Sequence, residues 1–163
     1  MIEISLAKST EHYKTIEVLA YTIWNDHYIP IIGKAQVDYM LEKFQSAAAI
    51  ENQIADGFEY YLLIYKSETV GYLAIKPEES ALFLSKIYVL PHYRGQKIGK
   101  KAMDFVEKHA KDSGKTHIRL TVNKNNVQSV EVYKKLGFKL VGPIVIDIGH
   151  GFVMDDFEMV KML

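Results

Sequence analysis

With 163 residues, 48% of them apolar and 25% charged, the chain has the size and balance of one globular domain with a substantial hydrophobic core. Lys and Arg number 20, as do Asp and Glu, so bulk charge offers no hold on nucleic acid or an anionic membrane. The absence of cysteine excludes disulfides and thiolate metal sites. The opening Met1-Ile2-Glu3-Ile4-Ser5 has neither the basic nor the apolar region of an export signal, and the apolar runs are too short to span a bilayer. A cytoplasmic protein is expected.

No linker, low-complexity tract or repeat divides the sequence, which predicts one domain over residues 1–163. Residues 2–7 alternate like a short strand. Ser9 or Thr10 caps a helix with Tyr13, Ile16, Ala20, Ile23 and Trp24 on one face. After a break at Tyr28-Ile29-Pro30, Val37, Met40, Leu41 and Phe44 mark a second helix, running on toward Ile54 and ended by Asp56-Gly57. Residues 58–65 and 70–76 are β-prone and joined by Lys66-Ser67-Glu68-Thr69, which reads as a hairpin. A third run, 81–90, ends at Pro91 and Gly95. A helix over about 97–113 follows, apolar at Ile98, Ala102, Phe105 and Val106 and stopped by Gly114. Residues 116–122 alternate as a strand, 126–136 form a helix stopped by Gly137, and 138–148 and 152–162 are strands around Gly149-His150-Gly151. The order βααβββαβαββ predicts an α/β (α+β) domain, a mixed sheet of about seven strands with helices on both faces.

Chemistry concentrates at Ile87-Tyr88-Val89-Leu90-Pro91-His92-Tyr93-Arg94-Gly95-Gln96-Lys97-Ile98-Gly99-Lys100, where a strand passes through a glycine-containing loop into a helix. Helix N-termini present unpartnered N–H groups and partial positive charge, and Arg94, Lys97, Lys100 and Lys101 add full charges. Two readings stand: a diphosphate cradle, or an ordinary strand-turn-helix with a solvated basic face. The segment is not a P-loop, because Gly99 is followed by Lys100 and Lys101, and it lacks the three-glycine dinucleotide spacing. Asn126, Ser129 and Tyr133, at i, i+3 and i+7, share one stripe of the last helix, either as a ligand-facing surface or as a solvated face.

Together these motifs resemble the GNAT superfamily of N-acetyltransferases. Its acetyl-CoA signature (Arg or Gln, two residues, Gly, one residue, Gly or Ala) runs here from Arg94 to Gly99. A second family pattern is matched by Asn126, Ser129, Tyr133 and Leu136-Gly137-Phe138. The resemblance covers about residues 58–140 and implies acetyl-CoA as acyl donor, with no metal. It implies that the backbones of Ile87 and Val89, with Tyr88 between them, pair with the pantetheine amides. The diphosphate would sit on Arg94, Gly95, Gln96, Lys97, Ile98, Gly99 and Lys100. Asn126 would bond near the pantetheine arm, Ser129 would share its helix face, and Tyr133 would protonate the departing thiolate.

Two departures from the family pattern stand out. Lys97 replaces the signature's internal glycine, and 81–90 contains no Asp or Glu where some relatives carry a general-base glutamate, near Phe83. Asp26 and His27, in Trp24-Asn25-Asp26-His27-Tyr28, are the expected base or acceptor-site residues, with Glu78, Glu79 and His150 as alternatives. The six histidines show no ligand spacing; His109 and His117, for example, fall on different elements. The expected activity is transfer of acetyl to a primary amine, on a small molecule such as a polyamine or on a protein. A catalytically silent acyl-CoA-binding regulatory module is the alternative, and a nucleotide- or nucleic-acid-binding domain a third reading that zero net charge disfavours. Expected partners are the small-molecule or peptide amine, with no nucleic acid and no membrane, and a homodimer left open.

Overall fold

Ser9, in extended backbone after strand β1 (Ile2–Leu6), accepts a hydrogen bond from the His12 N–H and so starts α1 (Thr10–His27) in the computed structural model, which describes residues 1–163. The expected break at Tyr28-Ile29-Pro30 holds one short helical turn, α2 (Ile29–Ile32), because proline is tolerated in the first turn of a helix. The single second helix expected from periodicity is two, α3 (Lys34–Gln45) and α4 (Ala47–Ala55). Ser46 is the cause: its backbone is extended (φ −70°, ψ 155°) and its hydroxyl accepts from the Ala49 N–H, so it caps α4 instead of continuing α3. The fold therefore has six helices where four were expected.

The remaining elements are β2 (Glu59–Tyr65), β3 (Glu68–Pro77), β4 (Ala81–Val89), a 3₁₀ turn at Pro91–Tyr93, α5 (Ile98–Asp112), β5 (His117–Asn123), α6 (Val127–Lys135), β6 (Lys139–Gly149) and β7 (Phe152–Met162). The β2–β3 hairpin is tighter than the expected four residues. Lys66 and Ser67 alone form the turn, both at positive φ, as a type I′ geometry requires.

All seven strands join one sheet in the order β1-β2-β3-β4-β5-β7-β6, antiparallel except for β4 against β5. Strand alternation buries both faces. Tyr61, Leu63, Leu73 and Ile75 pack under α5, while Tyr60, Leu62, Tyr72 and Ala74 pack under α1, α3 and α4. Helices on both faces are as expected.

Two irregularities in β4 shape the centre of the sheet. Ala74 pairs with Lys86 but Ile75 pairs with Leu84, so Ser85 is the extra residue of a β-bulge. Beyond Phe83 the strand leaves its parallel neighbour, since β4 and β5 pair only over Ala81, Leu82 and Phe83 against His117, Ile118 and Arg119. On its other edge β4 stays close to β3. A Cβ on Gly71 would stand 2.2 Å from the Tyr88 carbonyl oxygen, so only glycine fits there. No helix is long and apolar enough to cross a membrane.

Candidate functional site

Where β4 and β5 part, a groove of about 480 Å³ opens between them. Its walls come from both strands, from α1 and α3 on one side and from the start of α5 and the face of α6 on the other. Alternation past the Ser85 bulge decides what each side chain meets. Ile87 and Val89 pack toward the α5 core, and Tyr88 turns toward the α1 core. There Tyr88 shares a hydroxyl contact of 3.1 Å with Tyr28 and meets Trp24 edge-on, ring centroids 5.9 Å apart.

At one end of the groove the chain enters α5 through Arg94 and Gly95. The backbone N–H groups of Gly95, Gln96, Lys97, Ile98, Gly99 and Lys100 make no hydrogen bond within the protein; the first amide to be satisfied is Lys101, which donates to the Lys97 carbonyl. Consecutive free amides at a helix start form an anion-binding concavity. Arg94, Gly99 and Lys100 line the groove, and Gly99 has open space where a Cβ would project. Lys97, standing for the signature glycine, caps α5 in the left-handed region, φ 63° and ψ 19°. The Ile98 side chain, by contrast, is buried in the core beneath α5, which leaves only its backbone N–H for a ligand. Gly95, Gln96 and Lys97 do not line the groove themselves, and what they offer beside it is free backbone N–H groups.

Asn126, Ser129 and Tyr133 all line the groove from α6, so the sequence stripe faces the cavity and not solvent. Asn126 is buried at the helix start without capping it. The Tyr133 hydroxyl has no hydrogen-bond partner within the protein, and burial pushes the phenol well above its ordinary range. It stays protonated at neutral pH, the state that a proton donor needs.

The expected base candidates separate. His27, in the last turn of α1, lines the groove between Arg94 and Asn126. Burial and then the Arg94 charge lower its pKa, while Asn126 and Asp26 work the other way. Asp26 is exposed outside the groove, 3.8 Å from Arg94. Glu78 is held by Arg119 through two bonds of 2.6 and 2.8 Å, which depress its pKa, and Glu79 is exposed; neither reaches the groove. That same guanidinium stacks 4.3 Å from the Phe83 ring, so the strand-four position where a glutamate was sought is covered by an ion pair. His150 sits at positive φ in the β6–β7 turn against Tyr39, away from the groove wall.

Sequence reasoning missed Lys86, Thr121 and Asp156, which the fold brings into the groove wall from β4, β5 and β7. Asp156 is 5% exposed, and burial raises its pKa to about 6 against the opposing pull of Lys86 and Thr121. Burial lowers Lys86 to about 8, and its ammonium lies 5.8 Å from the Trp24 ring. Adjacent Asp155 points the other way and pairs with Lys124 at 2.9 Å. No group of three or more His, Asp or Glu side chains is placed to hold a metal ion. A groove with free strand edges, an amide cradle at one end and a protonated phenol beside it fits an extended thioester ending in a diphosphate.

Comparison with known proteins agrees with that geometry. Residues 20–138 match the sequence model described as the acetyltransferase (GNAT) family. A thialysine N-epsilon-acetyltransferase of Sus scrofa is 37% identical over 81 residues, 50% of this chain and 42% of its own length, so the chain matches less than half of that relative. The spermidine N(1)-acetyltransferase of Thermoplasma acidophilum is 25% identical over 137 residues, 81% of this chain and 85% of that protein. Among solved structures, the PaiA N-acetyltransferase of Thermoplasma acidophilum in complex with coenzyme A superposes with a TM-score of 0.83 at 25% identity, covering 100% of this chain and 99% of that one.

Proposed function

The chain belongs to the GNAT family of acetyltransferases, and from that membership we propose that it transfers the acetyl group of acetyl-CoA to a primary amine by direct attack in a ternary complex. The observation that carries this reading is the parting of β4 from β5, with the free amides of residues 95–100 at one end and the protonated Tyr133 beside the gap. Those amides, with Arg94 and Lys100, hold the diphosphate, and the released edges of Ile87 and Val89 pair with the pantetheine amides.

The neutral amine nitrogen attacks the thioester carbonyl, the N–C bond forms, and the oxyanion rests on a backbone N–H of β4 near the Ser85 bulge. The C–S bond then breaks, and the Tyr133 phenol gives its proton to the thiolate. Two side chains of the groove wall, His27 and Asp156, are able to receive the proton that a protonated amine must first lose.

For the acceptor, the relatives named for spermidine and for thialysine support a small molecule with a free primary amine, and a peptide lysine offers the same group. The test is a panel of these amines with acetyl-CoA, reading free thiol. Release that depends on the amine is expected. A rise in melting temperature with acetyl-CoA, but no thiol with any amine, would favour a silent acyl-CoA-binding module instead. Equal thermal shifts with ATP and NAD would overturn the donor assignment; saturation at a hundredfold over Kd is worth roughly 2.7 kcal/mol, well within reach of a thermal scan.

A further inference from the structure

Twenty-nine residues line the groove, and Asp156 is the only carboxylate among them. It reaches the wall from β7, opposite Asn123 of β5, on the same side of the sheet as Trp24, Tyr28 and Tyr88. Across the gap stands Lys86, the residue that follows the Ser85 bulge. Neither side chain forms an ion pair: none of the salt bridges in the structure includes Lys86 or Asp156, and the two are more than 4.0 Å apart. A carboxylate 5% exposed and free of a charged partner is costly to keep unless a ligand supplies the missing interaction. The cation facing it from β4 acts on it from beyond ion-pair distance.

The groove offers one rival, His27. That ring interacts with Arg94 and Asn126, the residues expected against the cofactor. Asp156 interacts instead with Lys86, next to the β4 bulge, where the thioester carbonyl must sit if β4 supplies the oxyanion donor.

We propose that Asp156 takes the proton from the attacking amine and that Lys86, facing it across the gap, keeps this carboxylate ionised until it does. The inference rests on the acetyltransferase reading above and answers what it left open. The ammonium R–NH₃⁺ gives one proton to the Asp156 carboxylate, and the freed lone pair forms the N–C bond. Collapse of the tetrahedral adduct breaks the C–S bond, and its electrons leave on sulfur, which Tyr133 protonates. The second amine proton, acidic on the acylated nitrogen, returns to the tyrosinate, and Asp156 passes its own proton to solvent. One ammonium, one thioester and no outside reactant give one amide, one thiol and one released proton.

Lys86 has a second effect, because a like charge beside the arriving ammonium lowers that group's pKa and eases its deprotonation. The ordering of the two groups supports the pair: Asp156 near 6 and Lys86 near 8 are both charged at pH 7. The other polar groups that act on Asp156 are the Thr121 hydroxyl from β5, the Tyr28 phenol after α1, and its strand neighbour Asp155 on the opposite face. None of them is a cation, so Lys86 alone supplies positive charge to Asp156.

The test is the pH profile of kcat/KM for an amine that the wild type acetylates, with Asp156→Asn, Lys86→Met and Lys86→Arg compared. Asp156→Asn should lose about 10²-fold at pH 7 and recover much of it near pH 10, where a lysine-like amine arrives neutral. Its acetyl-CoA affinity, measured by calorimetry, should be unchanged. Lys86→Met should move the acid limb of the wild-type profile to higher pH, and Lys86→Arg should restore it, a shift that a merely structural lysine would not produce. An active wild type with a parallel Asp156→Asn profile, or an acid limb indifferent to Lys86→Met, would overturn this proposal alone. A wild type that releases no thiol with any amine would overturn the acetyltransferase reading and this proposal with it.

Discussion

Asp26 and Arg94 face each other 3.8 Å apart at the mouth of the groove, and both are about half exposed. The pair ties the end of α1 to the loop that leads into the amide cradle. Its carboxylate competes with an incoming diphosphate for the Arg94 guanidinium and does not reach the acceptor side. Asp26→Asn should therefore leave the shape of the pH–rate profile unchanged and tighten acetyl-CoA binding by no more than about fivefold, since exposed pairs are weak. Salt should erase the gain, because such charges are screened within about 10 Å at 0.1 M. Calorimetric titration of acetyl-CoA at low and high salt checks both points. A profile that loses its neutral-pH activity would instead return Asp26 to the chemistry.

Lys97 occupies a backbone conformation that the family gives to glycine, φ 63° at the cap of α5. For a residue with a Cβ that conformation costs roughly 1 kcal/mol. Lys97→Gly should raise the melting temperature by about 2–4 °C in a domain of this size, and Lys97→Val should lower it. Acetyl-CoA affinity should fall only slightly in the glycine variant, since the Lys97 side chain does not line the groove and its amide is kept. A lower melting temperature for Lys97→Gly would mean that the lysine side chain stabilises the turn by contacts outweighing the strain.

Tyr133 donates no hydrogen bond within the fold, so Tyr133→Phe removes a hydroxyl without orphaning a partner. Melting temperature and acetyl-CoA affinity should be preserved while kcat falls about 10²-fold. Single-turnover thiol release resolves the chemical step from product release, and an unchanged rate would remove Tyr133 from the mechanism.

The sequence motifs and the structure agree best where one residue type has one physical use. The Gly- and Lys-rich start of α5 and the Asn126–Ser129–Tyr133 stripe both reach the groove because loop chemistry and helical period are local. Lys86 was hidden by the bulge. Strict alternation from Leu82 and Leu84 assigns Lys86 and Tyr88 to the α5 core, whereas the extra residue Ser85 gives that place to Ile87 and Val89 and turns Lys86 and Tyr88 to the other face. Asp156 was hidden by its neighbour, since Asp155-Asp156 reads as a solvated acidic pair, although Met154 and Asp156 share a strand face. The split of α3 from α4 turned on the single Ser46 within an apolar periodic run, which periodicity passes over.

Beneath the acceptor side, Gln45 is fully enclosed and joins two core phenols. Its Oε1 accepts from the Tyr72 hydroxyl at 2.6 Å, and its Nε2 donates to the Tyr60 hydroxyl at 3.1 Å. Gln45→Leu keeps the volume but strands the buried Tyr72 hydroxyl, a loss of about 1–3 kcal/mol. Urea unfolding should show that loss as a lower midpoint at unchanged slope. Adding Tyr72→Phe should recover part of the stability, because the orphaned group is then gone. No recovery would mean that Gln45 matters through packing alone.

The buried charge of Asp156 also has a thermodynamic signature that needs no substrate. Its pKa is raised in the folded state from 3.8 to about 6, burial being the largest cause. A group raised on folding binds more protons in the native than in the unfolded chain. Its stabilising contribution is complete below the unfolded value near 3.9 and is lost as the pH rises through about 6. Above that, the ionised carboxylate penalises the fold by roughly 2–3 kcal/mol, at 1.36 kcal/mol per pKa unit. Asp156→Asn removes the charge with almost no change in shape. The variant should therefore melt several degrees above the wild type at pH 7.5, and the gap should shrink toward pH 4, where Asp156 is protonated in the native state and about half protonated in the unfolded chain. Greater stability with lower activity is the pairing expected of a residue kept for chemistry at the fold's expense. Scanning calorimetry of both proteins from pH 4 to pH 8 decides it. A gap independent of pH, or a variant less stable than wild type at pH 7.5, would show that the carboxylate is satisfied by the protein itself and holds no place for an incoming amine.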